Sequence, residues 1–390
     1  MLISQRPQAV LLLKDGTRFE GRAIGARGIA VGEICFNTGM TGYQEIFTDP
    51  SYTGQIMVMA SPHIGNYGVK RPPGDPLRGE DEGPRVSIAG LVVKKFSEVT
   101  SRADSTGSLE GMLLEAGITG ISDIDTRKLV RHIRDHGAQN AIIDSTGLDD
   151  EALQRRLAEA PDMAGLELAS SVTAGEPYDV GDPDSPYRVA LLDFGIKLNT
   201  VRCLIERDCL VRIFPMTSTL GEMMDWRPDG FLLGNGPGDP AAMPGPVKLV
   251  AEVVATGLPV FGICMGHQLL AQSQGVPTMK MHHGHRGINH PVRNGITGRA
   301  EVTSQNHGFV VDRQKAEAHP GMEITHLHLN DGSVAGIRLK DRPVFSVQHH
   351  PEAGPGPLDS QYLFDDFVAY MRQALETAGK KAPLRTTQNH

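Results

Sequence analysis

The chain has 390 residues, a length that exceeds one ordinary core and gives two domains of typical size enough residues to bury a core each. A hydrophobic fraction of 39%, a charged fraction of 22% and a formal net charge of −8 exclude the broad basic surface that nucleic acid or anionic lipid requires. No apolar run reaches bilayer length, and the start Met1-Leu2-Ile3-Ser4-Gln5-Arg6-Pro7 lacks a signal-peptide pattern, so the expected compartment is the cytoplasm and no membrane partner is expected.

The segment Ala9-Val10-Leu11-Leu12-Leu13, the turn Lys14-Asp15-Gly16-Thr17 and the stretch through Phe19 predict a β-hairpin. Strand patterns recur at residues 56–60 and 88–93. Helical patterns follow at 109–116 and 126–135, the second with Asp123 and Asp125 available as caps. Residues 71–85, rich in Pro, Gly and acidic side chains, read as an exposed loop without a catalytic role. A helix over 150–160 gives way to a breaker-rich linker at 173–186. Beyond it, apolar runs at 189–192, 211–214, 231–233 and 260–263 alternate with helical stretches, the rhythm of βαβ units. The expected class is therefore α/β: a C-terminal doubly wound, mostly parallel sheet over 186–380, preceded by a mixed α+β domain over 1–184.

In such sheets the reactive groups lie beyond the C-terminal ends of the strands. Pro259-Val260-Phe261-Gly262-Ile263-Cys264-Met265-Gly266-His267-Gln268 runs from an apolar strand through G-x-C-x-G into a helical pattern, placing Cys264 at a sharp strand-to-helix turn. The turn exposes the sulfur at the open end of the sheet. The positive end of the following helix favours thiolate, and the Met265 amide faces the place where an oxyanion forms. Cys35, Cys203 and Cys209 have no such setting and read as packing or surface positions; with no C-x-x-C spacing, no disulfide framework is expected.

A nucleophilic thiol needs a histidine base and a group to orient it. Val347-Gln348-His349-His350-Pro351-Glu352 supplies both: Pro351 keeps the backbone extended, so Glu352 lies on the same side as His350, the base. His282, His283, His285 and His290 invite a metal reading, but no Cys or carboxylate sits at ligand spacing. They are expected in a solvated, glycine-broken loop, with no metal bound. Gly234-Asn235-Gly236-Pro237-Gly238-Asp239 follows a strand, and Gly236 is placed to give a second oxyanion bond. It lacks the lysine and hydroxyl of a phosphate loop. Ser304-Gln305-Asn306-His307-Gly308-Phe309 has the polar groups of a small substrate site, although alone it reads only as a turn.

The N-G-P-G-D-P loop, the G-x-C-x-G-H-Q elbow and the H-P-E end, in this order, resemble the class I glutamine amidotransferase family over about residues 188–378. Phe36-Asn37-Thr38-Gly39-Met40-Thr41-Gly42-Tyr43-Gln44-Glu45, Thr48-Asp49-Pro50-Ser51-Tyr52, Pro62-His63-Ile64-Gly65-Asn66 and Asp193-Phe194-Gly195-Ile196-Lys197-Leu198-Asn199 narrow the resemblance to the small-chain family of carbamoyl-phosphate synthetase. That resemblance implies hydrolysis of L-glutamine by Cys264, His350 and Glu352 through a γ-glutamyl thioester, with Ser51, Gly236, Gly238, Met265, Gln268, Asn306, Gly308 and Phe309 around the substrate. It also implies a heterodimer in which a large chain carries ATP and Mg and makes carbamoyl phosphate for arginine and pyrimidine biosynthesis, leaving no cofactor in this chain. Two positions depart from the pattern: His349 replaces the usual glycine before the base, and His285-Arg286-Gly287 replaces His-His-Gly. The alternatives are the glutaminase of another synthetase, a free cysteine hydrolase, or a non-catalytic interaction subunit. The N-terminal motifs argue against the first two, and the intact Cys264, His350 and Glu352 against the third.

Overall fold

A computed structural model of the chain describes residues 6–72, 74 and 76–379. The first domain is built on strands β1 (Gln8–Leu13), β2 (Arg18–Gly25), β3 (Ile29–Asn37), β4 (Gln55–Met59), β5 (His63–Ile64), β6 (Gly90–Val92), β7 (Lys95–Phe96), β8 (Thr119–Ser122) and β9 (Asn140–Asp144). Its helices are α1 (Tyr43–Thr48), α2 (Leu109–Glu115), α3 (Thr126–His136) and α4 (Asp150–Ala158). Seven of the strands close into a barrel in the order β1-β2-β8-β6-β4-β3-β9, while β5 and β7 pair with each other. Closure leaves no sheet edge.

The alternation of β4 shows how the barrel is held. Ile56 and Val58 pack with Leu11, Ile34 and Ile143, and Met57 and Met59 turn to the other face against α1 and α2. Every residue of β4 is buried, so this strand has no polar side. Of the two predicted caps, Asp125 caps α3 by accepting from the Lys128 amide at 3.0 Å. Asp123 instead takes a positive φ of 64° and pairs with Lys95.

The second domain contains β10 (Tyr178–Val180), β11 (Tyr187–Asp193), β12 (Cys209–Pro215), β13 (Gly230–Leu233), β14 (Val260–Ile263), β15 (Thr278–Asn294), β16 (Ala300–Val311), β17 (Met322–His328), β18 (Val334–Leu339) and β19 (Val344–Val347). Its helices are α5 (Leu198–Ile205), α6 (Leu220–Asp225), α7 (Pro244–Ala255), α8 (Met265–Ser273), α9 (Arg313–Ala318) and α10 (Tyr362–Thr377). The strands form one sheet in the order β10-β12-β11-β13-β14-β19-β18-β17-β15-β16. β12, β11, β13, β14 and β19 are mutually parallel, with α7 and α8 on one face and α5 and α10 on the other. This is the doubly wound arrangement expected. Beyond β19 the sheet continues as antiparallel strands.

The 173–186 segment carries one short strand: β10 pairs antiparallel with β12, Tyr178 and Asp179 lying across from Ile213 and Arg212, and Arg212 grips the Asp179 carboxylate at 2.5 Å. Two loop expectations are corrected. The 71–85 loop is not wholly exposed, since Glu82 and Gly83 are buried and the Leu198 amide donates to the Glu82 carbonyl at 3.0 Å. Residues 282–290 are not a solvated loop but part of β15, paired with β16. Glycine in this segment serves as strand and bulge, which residue type alone does not separate from a loop.

Candidate active site

The parallel strands end at one rim, and three segments converge there. At the end of β14, Cys264 adopts φ 53° and ψ −101°, a conformation that L residues rarely hold, and its amide donates to the Val347 carbonyl at 2.9 Å. The strain is fixed by close packing behind it: a Cβ on Gly266 would come within 2.2 Å of the Leu233 carbonyl. The Gly266 amide donates to the Gly234 carbonyl at 2.9 Å, tying the elbow to the loop after β13. In that loop, a Cβ on Gly236 would meet the Phe194 carbonyl at 2.2 Å, so glycine is required. Met265 is the first residue of α8, where an amide has no intrahelical acceptor.

Past β19, His350 is locked by its own amide, which donates to the Ser304 carbonyl at 2.9 Å. Its Nδ1 lies 2.7 Å from Glu352 Oε1. Both side chains are buried. Burial opposes a charge on His350, but the Glu352 carboxylate and the Cys264 sulfur outweigh it and push the imidazole up to about 10. Burial raises Glu352, yet His350 and Lys197 overcome it and hold the carboxyl below its usual range. Nε2 of His350 is buried and makes no hydrogen bond among the described residues, while the Cys264 sulfur contacts the Asn306 carbonyl at 3.5 Å and Gln348 Nε2 at 3.7 Å. His349, the neighbour that departs from the expected glycine, is kept neutral by burial and by the imidazoles of His326, His350 and His267. Neither of its ring nitrogens has a hydrogen-bond partner among the described residues.

Cys264, Ser51, Gly236, Gly238, Met265, Gln268, Asn306, Gly308 and Phe309 all line one narrow cavity. The residues that line it are spread along the chain from Ser51 to Phe309, and Ser51 enters from the first domain. Gln268 is held by donating to the Phe309 carbonyl at 2.9 Å and to Gln348 Oε1 at 3.0 Å. Asn306 donates to Asp49 Oδ2 at 3.2 Å, again across the domains. Residues 304–309 lie in β16 rather than in a turn.

Residues 11–143 match the model of the carbamoyl-phosphate synthase small chain, CPSase domain, and residues 190–370 match that of the glutamine amidotransferases of class I. A carbamoyl phosphate synthase small chain from Chlorobaculum tepidum is 46% identical over 372 residues, covering 95% of this chain and 99% of the relative. The chain belongs to the carbamoyl phosphate synthase small chain family. Small chains from Synechococcus sp. and Escherichia coli O6:H1 are 43% and 44% identical, each over 95% or more of both chains. With the family comes the enzyme class, the glutamine amidotransferase subunit of a ligase.

Several side chains at the site carried no role in the sequence reading. Glu33, Gln55, Met163, Arg286 and His307 also line the cavity. Lys197 lies 3.6 Å from Glu352, and burial of its ammonium is outweighed by Glu352 and Glu82, which raise its pKa. Asn199 Nδ2 donates to the Glu352 carbonyl. Lys197 and Asn199 follow the end of β11, so the same rule about strand ends that found Cys264 points to them. Glu33 and Arg286 gave no such signal, because they meet only once β3 and β15 come together.

Proposed function

We propose that this chain hydrolyses L-glutamine to glutamate and ammonia and delivers the ammonia to an ATP-using large chain. The supporting observation is Cys264 held at positive φ, with Glu352 2.7 Å from His350 Nδ1 and the Cys264 sulfur among the groups that raise the imidazole pKa. An imidazolium beside a sulfur favours the thiolate. The Cys264 sulfur attacks the carboxamide carbon, and the amides of Gly236 and Met265 receive the oxyanion. As the C–N bond breaks, His350 gives its proton to the departing nitrogen, leaving a γ-glutamyl thioester. Water then attacks that carbonyl while His350 takes its proton, and the thioester collapses to glutamate and the Cys264 thiolate. No metal or cofactor enters these steps.

Glu33 and Arg286 present opposite charges to the cavity, matching the amino and carboxylate groups of a zwitterion. Ammonia in bulk water is protonated and lost as a nucleophile, so the large chain docks on the first domain as a heterodimer and receives it through an enclosed path. ATP and Mg reside on that large chain. The carbamoyl phosphate formed feeds arginine and pyrimidine synthesis, in the cytoplasm.

A glutamine-analogue electrophile is expected to label wild-type protein at Cys264 and to leave Cys264→Ser unlabelled. Co-purification from the native host is expected to recover a large chain of roughly a thousand residues, far above single-domain size. Glutamine breakdown that persists in Cys264→Ser would sink the reading.

A further inference from the structure

Outside the cavity beside Cys264, a cluster of metal-ligating groups among the described residues lies on the antiparallel part of the second sheet. The residues His285 and His290 are on β15, and His328 ends β17. β15 pairs with β17 through Val292 and His328, which brings the third imidazole across from the first two. One ring nitrogen from each of the three lies within 4.8 Å of those of the others. His290 Nδ1 and His328 Nε2 are 3.0 Å apart, and the rings of His285 and His328 stack with centroids 4.0 Å apart. Two imidazole nitrogens that close share either one proton or one cation.

We propose that His285, His290 and His328 bind a divalent transition-metal ion, zinc(II) by the character of the donors, and so clamp the β15 segment that borders the glutamine cavity. Three neutral imidazoles form a nitrogen donor set suited to zinc, cobalt or copper and poor for magnesium or calcium. Asp331, in the turn after β17, supplies the outer layer that a ligating His285 needs, its Oδ2 lying 2.9 Å from His285 Nε2; its Oδ1 is 3.4 Å from His328 Nδ1, which accepts from the Asn330 amide at 3.2 Å. With Nε2 engaged, His285 Nδ1 is buried and has no hydrogen-bond partner. A Zn–N bond of about 2.0 Å puts tetrahedral ligand nitrogens roughly 3.3 Å apart, so ring movements of about an ångström complete the site. His290 is only partly buried, which leaves an entry path and a fourth position open to water.

The neighbouring histidines do not join. His282 turns to the Asp135 carbonyl at the end of α3, and His283 stacks on Phe36. The strand itself is shaped for the cluster, because the β15–β16 register shifts between Lys280 and His285 and again between Gly287 and His290. Such bulges re-aim side chains. The stretch between the two shifts contains Arg286, which faces the cavity, so metal occupancy fixes the backbone that carries that guanidinium.

The test uses the full chain, stripped with a chelator and titrated with Co²⁺. The expected result is a visible d–d band saturating at one equivalent and lost on adding Zn²⁺. His290→Ala is expected to weaken Co²⁺ binding more than tenfold, Asp331→Asn by roughly 10–100-fold, and His282→Ala not at all. Thermal unfolding establishes that each variant folds, and His290→Gln replaces His290→Ala should the latter fail. A wild-type chain that gives no d–d band and no shift of Tm with either ion overturns the proposal and leaves the imidazoles as a proton-sharing network on Asp331. Undiminished affinity in both the folded His290 variant and Asp331→Asn overturns it equally.

Discussion

Asn235, in the glycine-rich loop after β13, donates its side-chain amide to Ser51 Oγ of the first domain at 2.9 Å. Both groups are buried. The cavity beside Cys264 is thus assembled across the two domains, and Ser51, from the short 3-10 turn before β4, reaches a site whose cysteine follows a strand of the other sheet. Asn235 also donates to the Gly195 carbonyl at 2.9 Å and its Oδ1 accepts from the Lys197 amide at 3.1 Å, so removal of the Ser51 hydroxyl leaves it two partners. Ser51→Ala is expected to cost about 1 kcal/mol of stability, the usual net worth of one hydrogen bond. It should raise KM for glutamine several-fold with a smaller effect on kcat. Steady-state glutaminase assays beside thermal unfolding check this, and an unchanged KM would refute it.

The Glu352 carboxylate orients and charges His350, so Glu352→Gln keeps the shape and loses the charge. The expected loss in kcat is on the order of 10²–10⁴-fold, the range of general acid–base catalysis. A pH signature accompanies it. His350 is raised above its ordinary 6.5 to about 10, so its protonation stabilises the folded chain fully below 6.5, and that contribution disappears as pH rises toward 10. The stability difference between wild type and His350→Gln should therefore shrink between those two values. A difference that grows over this window would show the imidazole to be neutral.

Much of this was legible in the sequence for local reasons. The elbow at Cys264 needs only a strand, two glycines and a helix in succession, and His350 and Glu352 are two residues apart. What escaped depends on residues distant in sequence. Glu82 looked like part of an exposed acidic loop because nothing near it in sequence tells that α5 covers it. His328 shares no motif with His285 and His290, and only the β15–β17 pairing joins them. The barrel also went unseen as a barrel, since closure is a property of strand order rather than of any strand.

Arg286 stands where the family pattern usually has histidine, and it is buried beside the cavity with Nη1 donating to the His283 carbonyl at 2.9 Å. Its guanidinium lies 3.9 Å from Glu33, which Lys280 also contacts. Glu33 therefore keeps a cation when Arg286 is changed. If Arg286 holds the glutamine carboxylate, that contact is the same in ground and transition states, and its loss appears in KM rather than in kcat. Arg286→Ala is expected to raise KM about 10–100-fold, the value of a hydrogen bond to a charged group. A fall in kcat at constant KM would assign the residue to the chemistry instead.

Glu82 couples the first domain to the segment behind His350 and Glu352. Its Oε2 accepts from the Asn199 amide at 2.9 Å, and its own amide donates to Thr48 Oγ1 at 2.8 Å. Burial pushes its carboxyl up to about 7, against the pull of Lys197, Arg202 and the Asn199 amide, with Glu352 adding repulsion. The sign follows from linkage: between an unfolded value of 4.5 and a folded value near 7, the native chain holds a proton that the unfolded chain has released. Stability from this group is therefore highest below pH 4.5 and falls as pH rises through 7, by an amount on the order of 3 kcal/mol. Glu82→Gln keeps an acceptor for the Asn199 amide and cannot ionise, so it should remove this slope. Urea unfolding of both proteins at pH 5 and pH 7.5 measures the effect: the variant is expected to gain on the wild type as pH rises, and a pH-independent difference would place the Glu82 charge outside the buried network.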